Sequence, residues 1–181
     1  DITDILQAVD EETGIVILLN PNSPIGSTYE EAAVRKVVEQ AASAGAIVVV
    51  DEAYHYFYEP TFMPLMKEYD NLLVLRTFSK VFSMAGLRIG YVAGGTALIE
   101  FIEKAESTFN VNNIAILFAE EVIRNRELTA DLIETEREGR RWLAARLQEA
   151  GYKTLAKEGN FVLFLPRKDS QVVVKELKEK G

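Results

Sequence analysis

The sequence predicts an α/β protein, with a mostly parallel sheet and flanking helices followed by an incomplete α+β C-terminal portion. Three apolar runs, Gly14–Asn20, Ala46–Asp51 and Asn71–Arg76, carry the first part of this prediction. Runs that are apolar throughout and separated by helical segments are typical of parallel strands covered on both faces. From Thr96 onward helical spacing dominates, and one further strand follows at Phe161–Leu165.

The first strand runs into a loop rich in proline and glycine, and a helix follows this loop. Ser27 and Glu30 match a capping box, so we expect the helix to begin there. Apolar residues then recur at helical spacing over Val34–Ala41, and Gly45 is placed to end the helix because glycine tolerates a positive φ. The connection before a fourth strand candidate, Leu87–Ala93, is too short for a crossover helix. We therefore expect that strand to run antiparallel.

The second half of the chain predicts three helices before the late strand. Apolar stripes mark the first two, over Leu98–Ala105 and Ile114–Ile123. Glu127–Ala150 predicts a long charged helix that ends at Gly151. Five of its apolar residues are expected to face inward: Leu128, Leu132, Trp142, Leu143 and Leu147.

The late strand has no partner in this prediction, and Asp169 or Ser170 caps a last helix after it. Because a lone strand does not form a stable sheet, we expect the chain to be truncated. We divide it into residues 1–126, the central part of a large domain, and residues 127–181, a long linking helix with the start of a small C-terminal domain.

Composition excludes several classes of function. The chain has 181 residues, no cysteine and one histidine, which rules out disulfides, thiolate metal sites and two-histidine metal sites. A net charge of −8 argues against a general binder of nucleic acid or anionic membranes. No apolar run reaches the roughly 18 residues of a membrane span. We expect a cytoplasmic protein that acts on small molecules.

The densest group of reactive side chains lies at Arg76–Lys80, with Arg88 eight residues further on. Two hydroxyls, an amine and a guanidinium follow a strand end, where α/β sheets bind ligands. Hydroxyls and a forked guanidinium suit a phosphate, and an amine forms a Schiff base with an aldehyde. The same residues also fit a solvated loop that binds nothing.

A second group lies at the end of the preceding strand, where Asp51 and Glu52 follow the apolar run that begins at Ala46. A carboxylate at such a position needs a cation, a metal or a hydrogen-bonding role. A protonated pyridine nitrogen is one partner, and Mg²⁺ in a nucleotide site is another, although the chain has no Gly-rich Lys-Ser/Thr phosphate loop. Asp51 as a simple helix cap is the third interpretation.

Four segments succeed one another in a recognisable order: Asn20–Gly26, Asp51–Tyr54, Arg76–Lys80 and Ala85–Tyr91. Together they resemble the pyridoxal-phosphate-dependent aminotransferases of fold type I, over about Gly14 to Phe164. Two segments, Leu75–Lys80 and Phe109–Asn112, are most similar to the histidinol-phosphate aminotransferases. The resemblance implies the large domain of these enzymes as the fold of the first part of the chain.

The resemblance also implies roles for particular residues. Lys80 is the catalytic residue, and its amine binds the aldehyde of pyridoxal 5'-phosphate. Asp51 pairs with the pyridinium nitrogen of the cofactor, and Tyr54 hydrogen-bonds its phenolic oxygen. Three side chains hold its phosphate: Thr77, Ser79 and Arg88.

Ser23 departs from the family pattern, which usually has asparagine there as a second donor to the phenolic oxygen. Because a serine hydroxyl is shorter, we expect one of three outcomes. Asn22 compensates, a water bridges the gap, or the contact is lost.

The implied reaction is transamination of an amino acid or an amino-alcohol phosphate, with an amino donor, a 2-oxo acid acceptor and a homodimeric enzyme. Family members are longer, so we expect these 181 residues alone to bind the cofactor weakly or not at all and to be inactive. A decarboxylase or lyase of the same fold is one alternative. A nucleotide-binding or structural module without covalent chemistry is another.

Overall fold

The computed structural model describes all 181 residues and contains two β-sheets. The larger sheet has four strands in the order β1 (Ile15–Leu19), β2 (Ile47–Asp51), β3 (Leu72–Thr77) and β4 (Gly90–Gly94). Strands β1, β2 and β3 are parallel, and β4 is antiparallel to β3. The predicted mostly parallel sheet with an antiparallel fourth strand is confirmed.

Two helices cover one face of this sheet, α1 (Ile2–Ala8) and α2 (Glu31–Ser43). Three valines of α2 are fully buried against valines of β2 and β3, and together they form the main core. The α2 residues are Val34, Val37 and Val38. Burying each such side chain stabilises the fold by about 1.5–3 kcal/mol. Gly45 follows α2 with a φ of +75°, as predicted.

The opposite face of β1 is open. Ile15 and Ile17 are 60% and 69% exposed, whereas Val16 and Leu18 between them are buried. The expectation that the sheet is covered on both faces is therefore wrong for β1. The cause is that α1 and α2 both pack on the face of the sheet to which Val16 and Leu18 point.

The predicted capping box at Ser27 and Glu30 is also wrong. Helix α2 begins at Glu31, and Glu30 precedes it without a capping side-chain hydrogen bond. Residues in the segment 27–30, which was predicted to form the first helical turn, instead make hydrogen bonds to the loop after β1. The carbonyl of Ser27 accepts from the Asn22 N–H (2.8 Å), and the Tyr29 N–H donates to Oδ1 of Asn20 (2.8 Å).

Three helices follow the sheet, α3 (Thr96–Glu103), α4 (Asn113–Arg124) and α5 (Arg126–Glu149). Helix α5 agrees with the predicted long helix, but Ala144 is its only buried residue. Trp142 is 62% exposed, and Leu128 and Leu143 are exposed as well, so their predicted inward orientation is wrong. No helix of the chain has both the length and the apolar character needed to cross a membrane.

The second sheet pairs β5 (Lys153–Leu155) with β6 (Leu163–Leu165) in antiparallel register, and α6 (Ser170–Lys180) follows. The late strand therefore has a partner, and the expectation of a lone strand is wrong. Strand β5 has only three residues of mixed polarity, which leave no alternating pattern to detect. Asp169 caps α6, as expected. The division at residue 126/127 stays a prediction, one residue from the start of α5.

Candidate active site

The predicted site residues of the sheet lie where β2 and β3 end. Asp51 is paired with Leu75 of β3, and Thr77 is two residues further along the same strand. Since alternate residues of a strand share a face, Thr77 and Leu75 point to the same side of the sheet, the side not covered by α2. The Asp51 carboxylate is oriented by the N–H of Ala53, which donates to its Oδ1 at 2.9 Å.

A cavity of about 460 Å³ opens at these strand ends. Its lining includes four of the seven predicted site residues: Asp51, Thr77, Ser79 and Arg88. A carboxylate, two hydroxyls and a guanidinium therefore border one space, and Arg76 and Glu106 line it as well. A cavity bordered by acidic, basic and hydroxyl groups suits a ligand that has a cationic end and an anionic end.

A tight turn joins β3 to this group. The Ser79 N–H donates to the Thr77 Oγ1 at 3.1 Å, which holds the backbone of Ser79 next to the Thr77 hydroxyl. Arg88 adopts the left-handed conformation, with φ at +55°, and its Nη1 donates to the carbonyl of Ala85 at 3.0 Å. Non-glycine residues seldom adopt this conformation, and those that do are often found at functional sites.

Lys80 and Tyr54 lie beside each other and outside the lining of this cavity. The Lys80 Nζ is 5.3 Å from the centroid of the Tyr54 ring, and Lys80 is exposed. The Tyr54 ring is buried, and the edge-to-face contact with Phe161 has a centroid distance of 5.2 Å. Phe161 lies between β5 and β6, so residues of the C-terminal portion support the tyrosine.

Ser23 does not line the cavity either. It lies, partly buried, in the loop after β1, which begins at the buried Asn20 and ends at Gly26. The structure therefore brings together four predicted residues around one cavity and places Lys80 next to Tyr54, whereas Ser23 is not among the lining residues.

A second cavity of similar volume lies at the other end of the sheet, where β2 and β3 begin. Glu68 and Asp70 contribute its charged side chains, and no lysine or arginine lines it. Two carboxylates without a cation make a poor site for a phosphate. The cavity at the carboxyl ends of the strands is therefore the candidate active site.

The sequence reasoning missed an ion-pair cluster that adjoins this site. Glu52 is 1% exposed, and its Oε2 accepts from the Arg76 Nε (3.0 Å) and Nη2 (2.8 Å). Thr61 and His55 belong to the same cluster. The signal was present, because Glu52 follows Asp51 and Arg76 precedes Thr77 on neighbouring strands.

His55 sits at the edge of this cluster, with its Nδ1 buried and without a hydrogen-bond partner. Its burial, together with the nearby positive charge of Arg76, lowers the pKa of the imidazole below its ordinary value. The imidazole therefore stays neutral near neutral pH. Burial likewise raises the pKa of the adjacent Tyr56.

Comparison with known proteins agrees with this geometry. The family model "Aminotransferase class I and II" matches residues 1–180. The chain belongs to this family. Among curated aminotransferases, it is 34% identical to histidinol-phosphate aminotransferase of Thermotoga sp. (strain RQ2), over 94% of this chain and 50% of that protein.

Histidinol-phosphate aminotransferase 2 of Legionella pneumophila (strain Lens) is 31% identical over all of this chain and 50% of its own length. The chain thus spans about half the length of the curated relatives that it matches.

Solved aminotransferase structures share the fold. A histidinol-phosphate aminotransferase from Clostridium acetobutylicum superimposes with a TM-score of 0.86 at 23% identity, over 99% of this chain and 56% of that one. A Thermus thermophilus aspartate aminotransferase double mutant gives 0.76 at 26% identity, over 91% of this chain and 45% of that one. The architecture is that of the fold type I large domain, as the sequence predicted.

Proposed function

We propose that the chain provides the cofactor-binding centre of an aminotransferase that uses pyridoxal 5'-phosphate. The observation that carries this proposal is the single cavity shared by Asp51, Thr77, Ser79 and Arg88. Members of the class I and II family generally depend on this cofactor, and the proposal assigns the same dependence to the complete gene product that contains these residues.

The residues present fit the chemical groups of pyridoxal phosphate. Its phosphate matches the two hydroxyls and the guanidinium of Arg88, which presents several donors in one plane. Its pyridine nitrogen matches the carboxylate of Asp51. A proton on that nitrogen about 4 Å from the carboxylate would be attracted by roughly 4 kcal/mol at an effective dielectric constant of 20.

Bound pyridoxal phosphate supplies an electron sink for charge that develops at the substrate Cα. Asp51 would keep the ring nitrogen protonated, and the N–H of Ala53 fixes the direction of its carboxylate. Lys80 would hold the cofactor through its Nζ, and its free amine would move a proton between the substrate Cα and the carbon that carries the cofactor's aldehyde. Tyr54, whose ring packs against Phe161, would donate its hydroxyl to the phenolic oxygen.

The substrate class follows from the relatives. Proteins named histidinol-phosphate aminotransferase match 94–100% of this chain at 31–34% identity. We therefore propose an amino acid or an amino-alcohol phosphate as amino donor and a 2-oxo acid as acceptor. A homodimeric enzyme and a cytoplasmic location accompany this proposal as predictions.

Borohydride reduction tests the proposal. The complete gene product is incubated with pyridoxal phosphate, reduced, digested and analysed by mass spectrometry. We expect the reduced cofactor on the peptide that contains Lys80 and none on Lys36, an exposed lysine of α2 that serves as the internal control. Absence of label on Lys80, or equal labelling of both lysines, contradicts the covalent role and favours a nucleotide-binding or structural module.

The same treatment of the 181-residue chain tests a separate expectation. We expect weak labelling or none from these residues alone. Labelling as strong as that of the complete gene product would contradict this expectation and leave the role of Lys80 intact.

A further inference from the structure

A buried carboxylate lies directly behind the candidate active site and contacts four donors. The Oε1 of Glu52 accepts from the Phe62 N–H at 2.7 Å, and its Oε2 accepts from Nε and Nη2 of Arg76. The Thr61 hydroxyl lies 2.9 and 2.8 Å from the two carboxylate oxygens. The same hydroxyl accepts from the Arg76 Nη2 at 2.7 Å, which closes the cluster.

These contacts join three segments that bear cofactor-binding residues. Glu52 is the neighbour of Asp51, and its N–H donates to the Leu75 carbonyl at 2.9 Å. Its side chain holds Thr61 and Phe62, the far end of the loop that carries Tyr54. Through Arg76 it also holds the end of β3, where Thr77 is the last residue and Lys80 follows three positions later.

The side-chain directions place this cluster away from the cofactor itself. Arg76 is two residues from Val74, which belongs to the core beneath α2, and Phe62 belongs to the same core. Arg76 and Thr77 both border the cavity, but the Thr77 side chain points to the opposite side of the sheet, whereas the Arg76 guanidinium is bonded to Glu52 and Thr61. Glu52 does not line the cavity and therefore acts on the proposed cofactor residues through Arg76 and through the backbone of β2 and β3.

The charges of the cluster balance. One carboxylate meets one guanidinium, and the lowered pKa of His55 keeps the imidazole neutral beside them. Buried ion pairs of this kind contribute little net stability, because desolvation offsets the attraction between the charges. Conformational specificity is another reason to bury such a pair, and the conformation concerned is that of the three segments that the cluster joins.

We propose that Glu52, with Arg76 and Thr61, is a positioning residue that sets the geometry between Asp51, Tyr54 and the Thr77–Lys80 segment. This inference rests on the proposed function, since it concerns residues that are proposed to hold pyridoxal phosphate. Displacements of about 1 Å in an active site can lower turnover by roughly 100-fold.

The test compares two variants of the complete gene product with a matched control. Glu52→Gln removes the charge at nearly the same volume, and Thr61→Val removes the bridging hydroxyl without leaving a charge unpaired. Glu68→Gln is the control, because Glu68 forms an exposed ion pair with Arg35 on the surface, remote from this cluster. The readouts are the pH midpoint of the absorbance of the cofactor linked to Lys80, the dissociation constant for pyridoxal phosphate, kcat, KM and the urea midpoint.

For Glu52→Gln we expect a 10- to 100-fold lower kcat, a KM changed by less than about threefold and an absorbance midpoint moved by about one pH unit. Thr61→Val changes the same quantities in the same direction by smaller amounts, and it remains informative if Glu52→Gln fails to fold. Glu68→Gln leaves the absorbance midpoint and kcat unchanged.

Two results would overturn the inference in different ways. If Thr61→Val and Glu52→Gln lower the urea midpoint but leave the absorbance midpoint and kcat at the control values, the cluster is only structural. If the unmodified protein forms no adduct on Lys80, the proposed function fails first, and the absorbance readout shows this directly.

Discussion

Gly26 offers a sharp test of how the C-terminal portion meets the loop that carries Ser23. Its φ is +74°, its N–H is bonded to the Asn22 carbonyl, and its own carbonyl accepts from the Glu158 N–H at 3.2 Å. A Cβ at this position would lie 2.7 Å from the backbone nitrogen of Glu158 and closer still to its carbonyl oxygen. Gly26→Ala therefore forces two backbone segments apart.

The magnitude follows from a comparison with Gly45. That glycine has nearly the same φ, +75°, but a Cβ there meets nothing within 4 Å. The left-handed conformation costs about 1–2 kcal/mol for alanine, and the loss of freedom in the unfolded chain returns about 0.4–1 kcal/mol. Gly45→Ala should thus cost about 1 kcal/mol. Gly26→Ala should cost a further 1–3 kcal/mol, the usual range for overpacking a buried site.

Urea unfolding of the two variants and the unmodified chain measures this difference. We expect both midpoints to fall, that of Gly26→Ala more, with equal slopes if the denatured states are alike. Equal losses in the two variants would refute the reasoning. They would mean that the contact between Gly26 and Glu158 adds nothing to the conformational strain.

Three further predictions concern the site and its surroundings. Asp51→Ala should lower turnover far more than affinity for pyridoxal phosphate, because the carboxylate maintains the electron sink; equal losses in kcat and in the dissociation constant would contradict this role. His55, the only histidine, should titrate in NMR spectra of the 181-residue chain below its ordinary pKa of about 6.5. The unfolded chain then binds the proton more readily, so stability should fall as the pH drops from about 6.5 towards the lowered pKa, and His55→Gln should remove that dependence. Phe161→Leu should lower stability by about 1 kcal/mol through the lost edge contact with Tyr54, whereas Phe109→Leu, at a side chain 92% exposed, should leave the urea midpoint unchanged.

The elements that were predicted well have strong local signals. Strands β1, β2 and β3 were found because each is a run of apolar residues that ends in a polar residue or a turn. Gly45 and Gly151 were identified as helix ends, and both have a positive φ. These features depend only on neighbours along the chain.

The errors share a different cause. Ser27 has the residue type of a helix cap, yet its carbonyl is bonded to Asn22 in the loop before the helix. Trp142 has helical spacing with its apolar neighbours, but it is exposed because the buried side of α5 faces elsewhere. In each case the deciding contact is made by residues outside the local pattern.

The same distinction between local and long-range information applies to the candidate site. The local sequence was enough to identify the chemical groups at the strand ends: a carboxylate, two hydroxyls, an amine and a guanidinium. Their identity and order do not depend on distant parts of the chain. Which of these groups meet depends on the three-dimensional fold, which gathers Asp51, Thr77, Ser79 and Arg88 around one cavity and places Lys80 beside Tyr54, with Ser23 outside the lining. It also joined Glu52 to Arg76, residues 24 positions apart, through the register of β2 and β3. Such contacts depend on how whole strands align, and no short stretch of sequence specifies that alignment.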